Sequence, residues 1–361
     1  MPLSERRGKV LITLLAILTL TGCGSAPPDG PGREAEITQS TLRPGWFGGY
    51  LDITLFPVLP LQDLPLQGAV TTVLSFISSD PARPCEPAWG GFYDLDRASD
   101  KLDLDSQLDA FRAAGNDIAV SFGGQRGTEL AAACTDGDAL VRAYTSVISR
   151  YGLDTVDLDI EGAGAADHTA VERRAAAIVR LQAERPPDDP LRVWLTLPAS
   201  REGLTPAAVI SVETMLESGV DLAGVNIMTM NFGALAPGET MLDAAVAAAE
   251  ATHRTLAAMY ATAGRPIDAA ALWNKIGLTP MIGVNDVEGN VFTLADAEGL
   301  NSFALERGIG RMSMWSLNRD AACNSAGQGQ TYSSAASDCS GVDQEPGMFG
   351  EVLANAMTNP P

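Results

Sequence analysis

The chain of 361 residues carries 46% hydrophobic and 19% charged residues, an apolar share that excludes a largely disordered polypeptide. Lys and Arg number 24 against 45 Asp and Glu, and a formal net charge of -21 repels phosphate backbones, so nucleic-acid partners are excluded. Two histidines leave little for a His-rich metal site, and the reading calls for neither metal nor cofactor.

Arg6, Arg7 and Lys9 precede an apolar run from Val10 to Leu20, followed by Thr21-Gly22-Cys23. A basic start, an apolar run and small residues at its end read as an export signal over residues 1–22. The run falls short of the ~20 residues that a permanent membrane span needs. Leu20-Thr21-Gly22-Cys23 resembles the bacterial lipobox. That resemblance implies lipidation of Cys23 and anchoring at the outer face of the cell membrane, with simple secretion if Cys23 is incidental. Residues 23–43, rich in Pro, Gly and polar side chains, read as a flexible tether. Residues 44–361 then form the folded domain, expected to be a monomer.

From residue 45 onward, short apolar runs alternate with longer helical patterns, the mark of βα units and a parallel sheet. The strands are expected at Trp46–Ile53, Val70–Ile77, Asp117–Phe122, Thr155–Ile160, Arg192–Leu197, Leu222–Met230, Ile276–Ile282 and Arg311–Trp315. Helical stretches include Asp138–Tyr151, His168–Ala183, Met241–Thr262 and Leu294–Arg307, the last stopping at Gly308, with a final helix over 348–357. This rhythm fits an α/β fold, a single (β/α)8 barrel. A doubly wound open sheet would favour a Gly-rich phosphate turn after the first strand, and no GxGxxG or P-loop occurs.

Setting Cys23 aside leaves Cys85, Cys134, Cys323 and Cys339, which allow three pairings in an oxidising compartment. Pairing by neighbourhood in the barrel favours Cys85–Cys134 and Cys323–Cys339.

The most informative stretch is Asp154-Thr155-Val156-Asp157-Leu158-Asp159-Ile160-Glu161-Gly162. Strand side chains alternate, so Asp157, Asp159 and Glu161 share one face and Val156, Leu158 and Ile160 the other. In a barrel the aliphatic face meets the helices, the acids point into the lumen, and Glu161 sits at the C-terminal mouth where barrel active sites are built. Like charges that close push at least one proton affinity upward. The outcome is a protonated acid beside a carboxylate that stays charged, which glycoside hydrolysis requires.

This run resembles the DGxDxDxE signature of glycoside hydrolase family 18, the chitinases and their relatives. Ser121-Phe122-Gly123-Gly124 matches the family's SxGG, Met228-Thr229-Met230-Asn231-Phe232-Gly233 sits where its MxYD or MxMDYG variant falls, and Trp315 lies where a Trp underlies the sugar. The likeness spans residues 45 to about 320 and is nearest a bacterial and archaeal branch with a D-[FL]-D-I-E-G strand. It implies that Glu161 protonates the glycosidic oxygen and that Asp159 orients the substrate's own acetamido group. It also implies that Asp157 shares a proton with Asp159, supported by Ser121. The implied activity is retaining, substrate-assisted cleavage of β-1,4-linked N-acetylglucosamine glycans, such as chitin, with Met228, Met230, Asn231 and Trp315 touching substrate. Non-proline cis peptides near Ser75-Phe76 and after Trp315 are implied as well.

Thr155 replaces the signature Gly, Met230 the Tyr, and Asn231 and Phe232 the branch's Asp and Tyr. Asn231 keeps open an alternative, a lectin-like barrel that binds such glycans without cutting them. Tyr50, Trp89 and Trp46 are candidates for sugar stacking, with core packing equally open for each, whereas Trp194 and Trp273 are expected to be structural. Asp94, Asp96, Asp100, Asp103 and Asp105 lack the central Gly of a calcium loop. Asn285-Asp286 falls on a mouth-side loop that can touch substrate.

Overall fold

Each apolar run becomes a strand, and the strands close on themselves. In the computed structural model, which describes residues 45–65, 70–323 and 334–357, eight parallel strands form a barrel. They are β1 (Trp46–Asp52), β2 (Thr71–Asp80), β3 (Asp117–Gly123), β4 (Thr155–Asp159), β5 (Arg192–Ser200), β6 (Leu222–Met228), β7 (Ile276–Thr279) and β8 (Arg311–Met312). Neighbours pair in order, and β1 pairs with both β2 and β8, which leaves no edge. Closure removes the unpaired backbone that an open sheet would present. The fold is a (β/α)8 barrel, and the described residues all belong to one unit, Ile37–Pro361. Residues 1–22, the tether and Cys23 lie outside the described residues.

The helices start and stop where the sequence supplies caps. Asp136 and Asp167 accept backbone N–H bonds at the heads of Gly137–Tyr151 and His168–Ala183. Thr240 with Asp243, and Thr293 with Asp296, form reciprocal capping boxes for Met241–Thr262 and Leu294–Arg307. Each such cap contributes about 1 kcal/mol. The aliphatic face of every barrel strand packs outward against these helices, as Val156, Leu158 and Ile160 do.

The inner face is different. Trp46, Tyr50, Val73, Ala119 and Trp194 form a separate cluster inside the barrel, with Trp46 and Trp194 meeting edge to face at 6.1 Å. The indoles fit because β1 and β6 have glycines beside them: a Cβ on Gly48 would strike Trp46, and one on Gly224 would strike Trp194. This aromatic plug seals the N-terminal end of the barrel and leaves the C-terminal mouth for the site.

Two features depart from a plain βα repeat. After β2 the chain inserts an antiparallel hairpin, Arg83–Trp89 and Tyr93–Asp94, paired to the end of β2. Disulfides join Cys85 to Cys134, between that hairpin and the segment after β3, and Cys323 to Cys339. Both pairings match the expectation from barrel neighbourhood. Ser75-Phe76 and Trp315-Ser316 are cis peptides, at the positions the resemblance implied.

Candidate active site

The acids of β4 lie along one inward face, in a gradient of depth. Asp157 is fully buried, Asp159 is 5% exposed, and Glu161, just past the strand end, is half-buried at the mouth. Register places Asp157 beside Ser121 on β3 and Trp194 on β5, and Asp159 beside Thr196. Asp159 and Glu161 line a cleft of about 270 Å³ that opens to solvent, at the small end of the range for small-molecule sites.

Asp157 does not line this cleft. Its Oδ2 accepts hydrogen bonds from Tyr50 Oη (2.8 Å) and Ser121 Oγ (2.7 Å), and its Oδ1 from Thr196 Oγ1 and Arg311 Nη1, both at 2.6 Å. Four donors occupy the four lone-pair directions of one carboxylate. The implied sharing of a proton between Asp157 and Asp159 is therefore not what the hydrogen bonds show. Ser121 spends its hydroxyl on Asp157, below the cleft, and does not line it.

Arg311 is the residue that sequence reasoning missed. It is fully buried, its guanidinium lies 5.0 Å from the Trp46 ring centroid and 5.6 Å from that of Trp194, and Nη2 donates to Tyr50 Oη at 3.1 Å. The signal was present in the strand: Arg311, Ser313 and Trp315 alternate with Met312 and Met314, so they share the inward face. A cation on that face must meet the acids of β4, because a buried charge without a partner is too costly to keep.

With Asp157 so held, the remaining acids interact with each other. Burial first, then the negative charges of Glu161 and Asp157, push Asp159 well above the usual carboxylate range, while Arg311 pulls the other way. Burial also raises Glu161, against a hydrogen bond with Asp159 that lowers it. One proton held between the two relieves both. Burial likewise keeps Tyr50 a neutral donor, its phenol raised well above normal.

The walls above the acids are aromatic and thioether. Phe76 and Trp315 stack at 5.5 Å with 27° between their planes, Tyr50 lies 6.1 Å from each, and Met228, Met230 and Met281 face the same space. Phe76, Gln125, Thr196 and Thr279 also line the cleft, and no motif pointed to them. Trp89, a stacking candidate, is a core residue: it sits at the end of the hairpin strand, is fully buried, and its Nε1 donates to Tyr151 Oη at 2.9 Å. Trp46 is part of the plug below the site.

Asn231 reaches the cleft by an unexpected route. Its backbone is left-handed (φ 54°), a conformation asparagine tolerates better than most residues. Its Oδ1 accepts from the backbone N–H groups of Asp286 (3.0 Å) and Val287 (3.3 Å), and its Nδ2 donates to Asp286 Oδ2 at 3.1 Å. Asn285 Oδ1 accepts from Asn231 N (3.2 Å) and Asn290 Oδ1 from Phe232 N (2.8 Å), which stitches the loops after β6 and β7 together. A carboxylate is still present at this rim, on Asp286, which also lines the cleft.

No family model matches the chain. Over 284 residues, 76% of its length, it is 34% identical to a probable bifunctional chitinase/lysozyme of Escherichia coli (strain K12). Over 285 residues it is 32% identical to Endochitinase 11 of Metarhizium anisopliae. The chain is a homologue of chitinases. This chitinase homologue spans 31% and 52% of the length of those two relatives. A solved structure of a catalytic-site mutant of active domain 2 of the thermostable chitinase from Pyrococcus furiosus, complexed with chito-oligosaccharides, is 28% identical. The match has a TM-score of 0.73 and covers 87% of this chain and 95% of that one.

In this chitinase homologue the Asn231 amide matters as a donor, so a carboxylate there would oppose Asp286. Asn231→Asp is expected to destabilise the fold by about 0.5–1.5 kcal/mol at pH 7, more than Asn231→Ala, and by less at pH 4, where repulsion between the exposed carboxyls is relieved. Denaturant unfolding of both variants at the two pH values measures this.

Proposed function

We propose that the chain is a glycoside hydrolase of the chitinase type, with Glu161 as general acid and base in retaining, substrate-assisted cleavage of β-1,4-linked N-acetylglucosamine glycans. The observation that carries this reading is the Asp159 and Glu161 pair, two proton-hungry carboxyls on one strand face under a wall of stacked Phe76 and Trp315. Among the described residues, Asp159 Oδ1 is buried without a hydrogen-bond partner. It offers an acceptor to the N–H of a 2-acetamido group, and that contact turns the acetamido carbonyl oxygen toward the anomeric carbon.

The reaction then follows. Glu161 gives its proton to the glycosidic oxygen, which leaves with the bonding electron pair as the acetamido oxygen bonds to the anomeric carbon. The positive oxazolinium ion so formed sits against the negative Asp159. Water adds to the anomeric carbon from the vacated side as the acetamido oxygen leaves with its bonding electron pair and the neutral amide is restored, Glu161 takes the water's proton, and two inversions give overall retention. Trp315 offers an apolar face to the pyranose ring. The likeness of the β4 run to the D-[FL]-D-I-E-G strand favours family 18 and that branch. We also propose that residues 1–22 direct export and that Cys23 carries a lipid, supported by the basic, apolar and small-residue succession ending at Cys23.

Wild type is expected to release reducing ends from chito-oligosaccharides, first as the β-anomer by proton NMR. Glu161→Gln should lose about 10²–10⁴-fold in kcat while still binding. The alkaline limb of activity should lie above the ordinary carboxylate range, because both acids are raised. Binding without any release by wild type would contradict the reading and leave a lectin. In a bacterial host, labelling by an alkyne-tagged fatty acid is expected for wild type and lost in Cys23→Ser; equal labelling would contradict the anchor.

A further inference from the structure

The hydrolase reading accounts for Asp159 and Glu161 but leaves the buried Arg311 without a task. Resting on that reading, we propose that Arg311 is a positioning residue for the reaction: by tying Asp157 into the barrel floor it denies Asp157 the catalytic proton and confines that proton to Asp159 and Glu161.

The geometry behind this is the complete set of groups around Asp157. Tyr50 comes from β1, Ser121 from β3, Thr196 from β5 and Arg311 from β8, and all four donate to its carboxylate. β2 presents Val73, while β6 and β7 present the neutral Asn226, which donates to Thr196, and Thr279, which bonds to Asn226. Among these groups only Tyr50, Asp159 on the same strand and Arg311 titrate or carry charge, with Glu161 and Asp286 further out at the cleft. A proton on Asp157 would have to displace one of four short donors, and one of the two nearest is a guanidinium that cannot give up its own charge.

Arg311 is itself fixed. It is enclosed by Trp46, Tyr50 and Trp194, whose ring centroids lie 5.0, 5.4 and 5.6 Å from the guanidinium carbon. Among the described residues its Nε is buried without a partner, so Asp157 and Tyr50 are the acceptors that hold its position. The pair is neutral as a unit, so the acids left without a cation on this face are Asp159 and Glu161. Without Arg311, the uncompensated Asp157 would hold the proton near the barrel floor, turn Asp159 toward itself and leave Glu161 without its partner.

The test compares wild type, Arg311→Lys and Arg311→Met in the pH dependence of chito-oligosaccharide turnover and in infrared titration of the protonated-carboxyl band, with folding checked by circular dichroism. Arg311→Met is expected to lose kcat about tenfold or more at nearly unchanged KM. Its alkaline limb and infrared midpoint should rise by about one to three pH units, the range set by one close opposite charge. Arg311→Lys, which restores a cation, should bring both back toward wild type. A folded Arg311→Met with limb and midpoint unmoved overturns the proposal, because lost packing alone would lower kcat without moving either. Should Arg311→Met not fold, Asp157→Asn supplies the mirror test: Arg311 without its anion should draw the midpoint down, and an unmoved or raised midpoint overturns the proposal. If wild type cuts no oligomer, the hydrolase reading fails, while the infrared midpoint still decides the role of Arg311.

Discussion

Three carboxylates inside a closed barrel have to be neutralised from within, and that constraint organises everything else at the mouth. Water cannot reach Asp157, and a parallel sheet covered by helices offers no solvated face on which to relieve it. Arg311 supplies the countercharge at 2.6 Å, and Tyr50, Ser121 and Thr196 supply the remaining donors. The charge that remains is thereby pushed outward along β4, to the two acids that a ligand can touch. Asymmetry of environment, more than the number of acids, sets their roles.

The aromatic plug is the mechanical half of the same arrangement. Trp46 and Trp194 close the barrel below and lie against the guanidinium, an apolar surround that strengthens every electrostatic contact above it. On the open side, Phe76 and Trp315 give a flat apolar wall, while the asparagine-stitched loops after β6 and β7 carry Asp286 to the rim. Rigid backbone therefore brackets the acids on both sides, and the reacting groups can be held without depending on long flexible side chains.

Much of this was legible in the chain. Alternation in Val156–Glu161 fixed which face the acids share, and capping residues such as Thr240 with Asp243 set helix starts. Strand ends were less legible: β6 stops at Met228, so Met230 and Asn231 belong to a loop, because side-chain periodicity does not say where ladder pairing ends. The hairpin at 83–94 escaped notice because it interrupts the βα rhythm with an antiparallel insertion. Trp89 was ambiguous because an indole suits a rim and a core equally, and only the Tyr151 hydroxyl waiting beside it decides for the core. Asn231 read as a weakened acid, whereas it is a three-bond clamp whose value lies in having both an acceptor and a donor. Arg311 could have been found by asking what faces the acids across the lumen.

The central claim is where one proton resides, and neutron diffraction from a deuterium-exchanged crystal locates it directly. The account predicts deuterium between Asp159 and Glu161 and a bare carboxylate at Asp157, ringed by donors from Tyr50, Ser121, Thr196 and Arg311. Deuterium on Asp157, or a guanidinium turned away from it, would contradict the account.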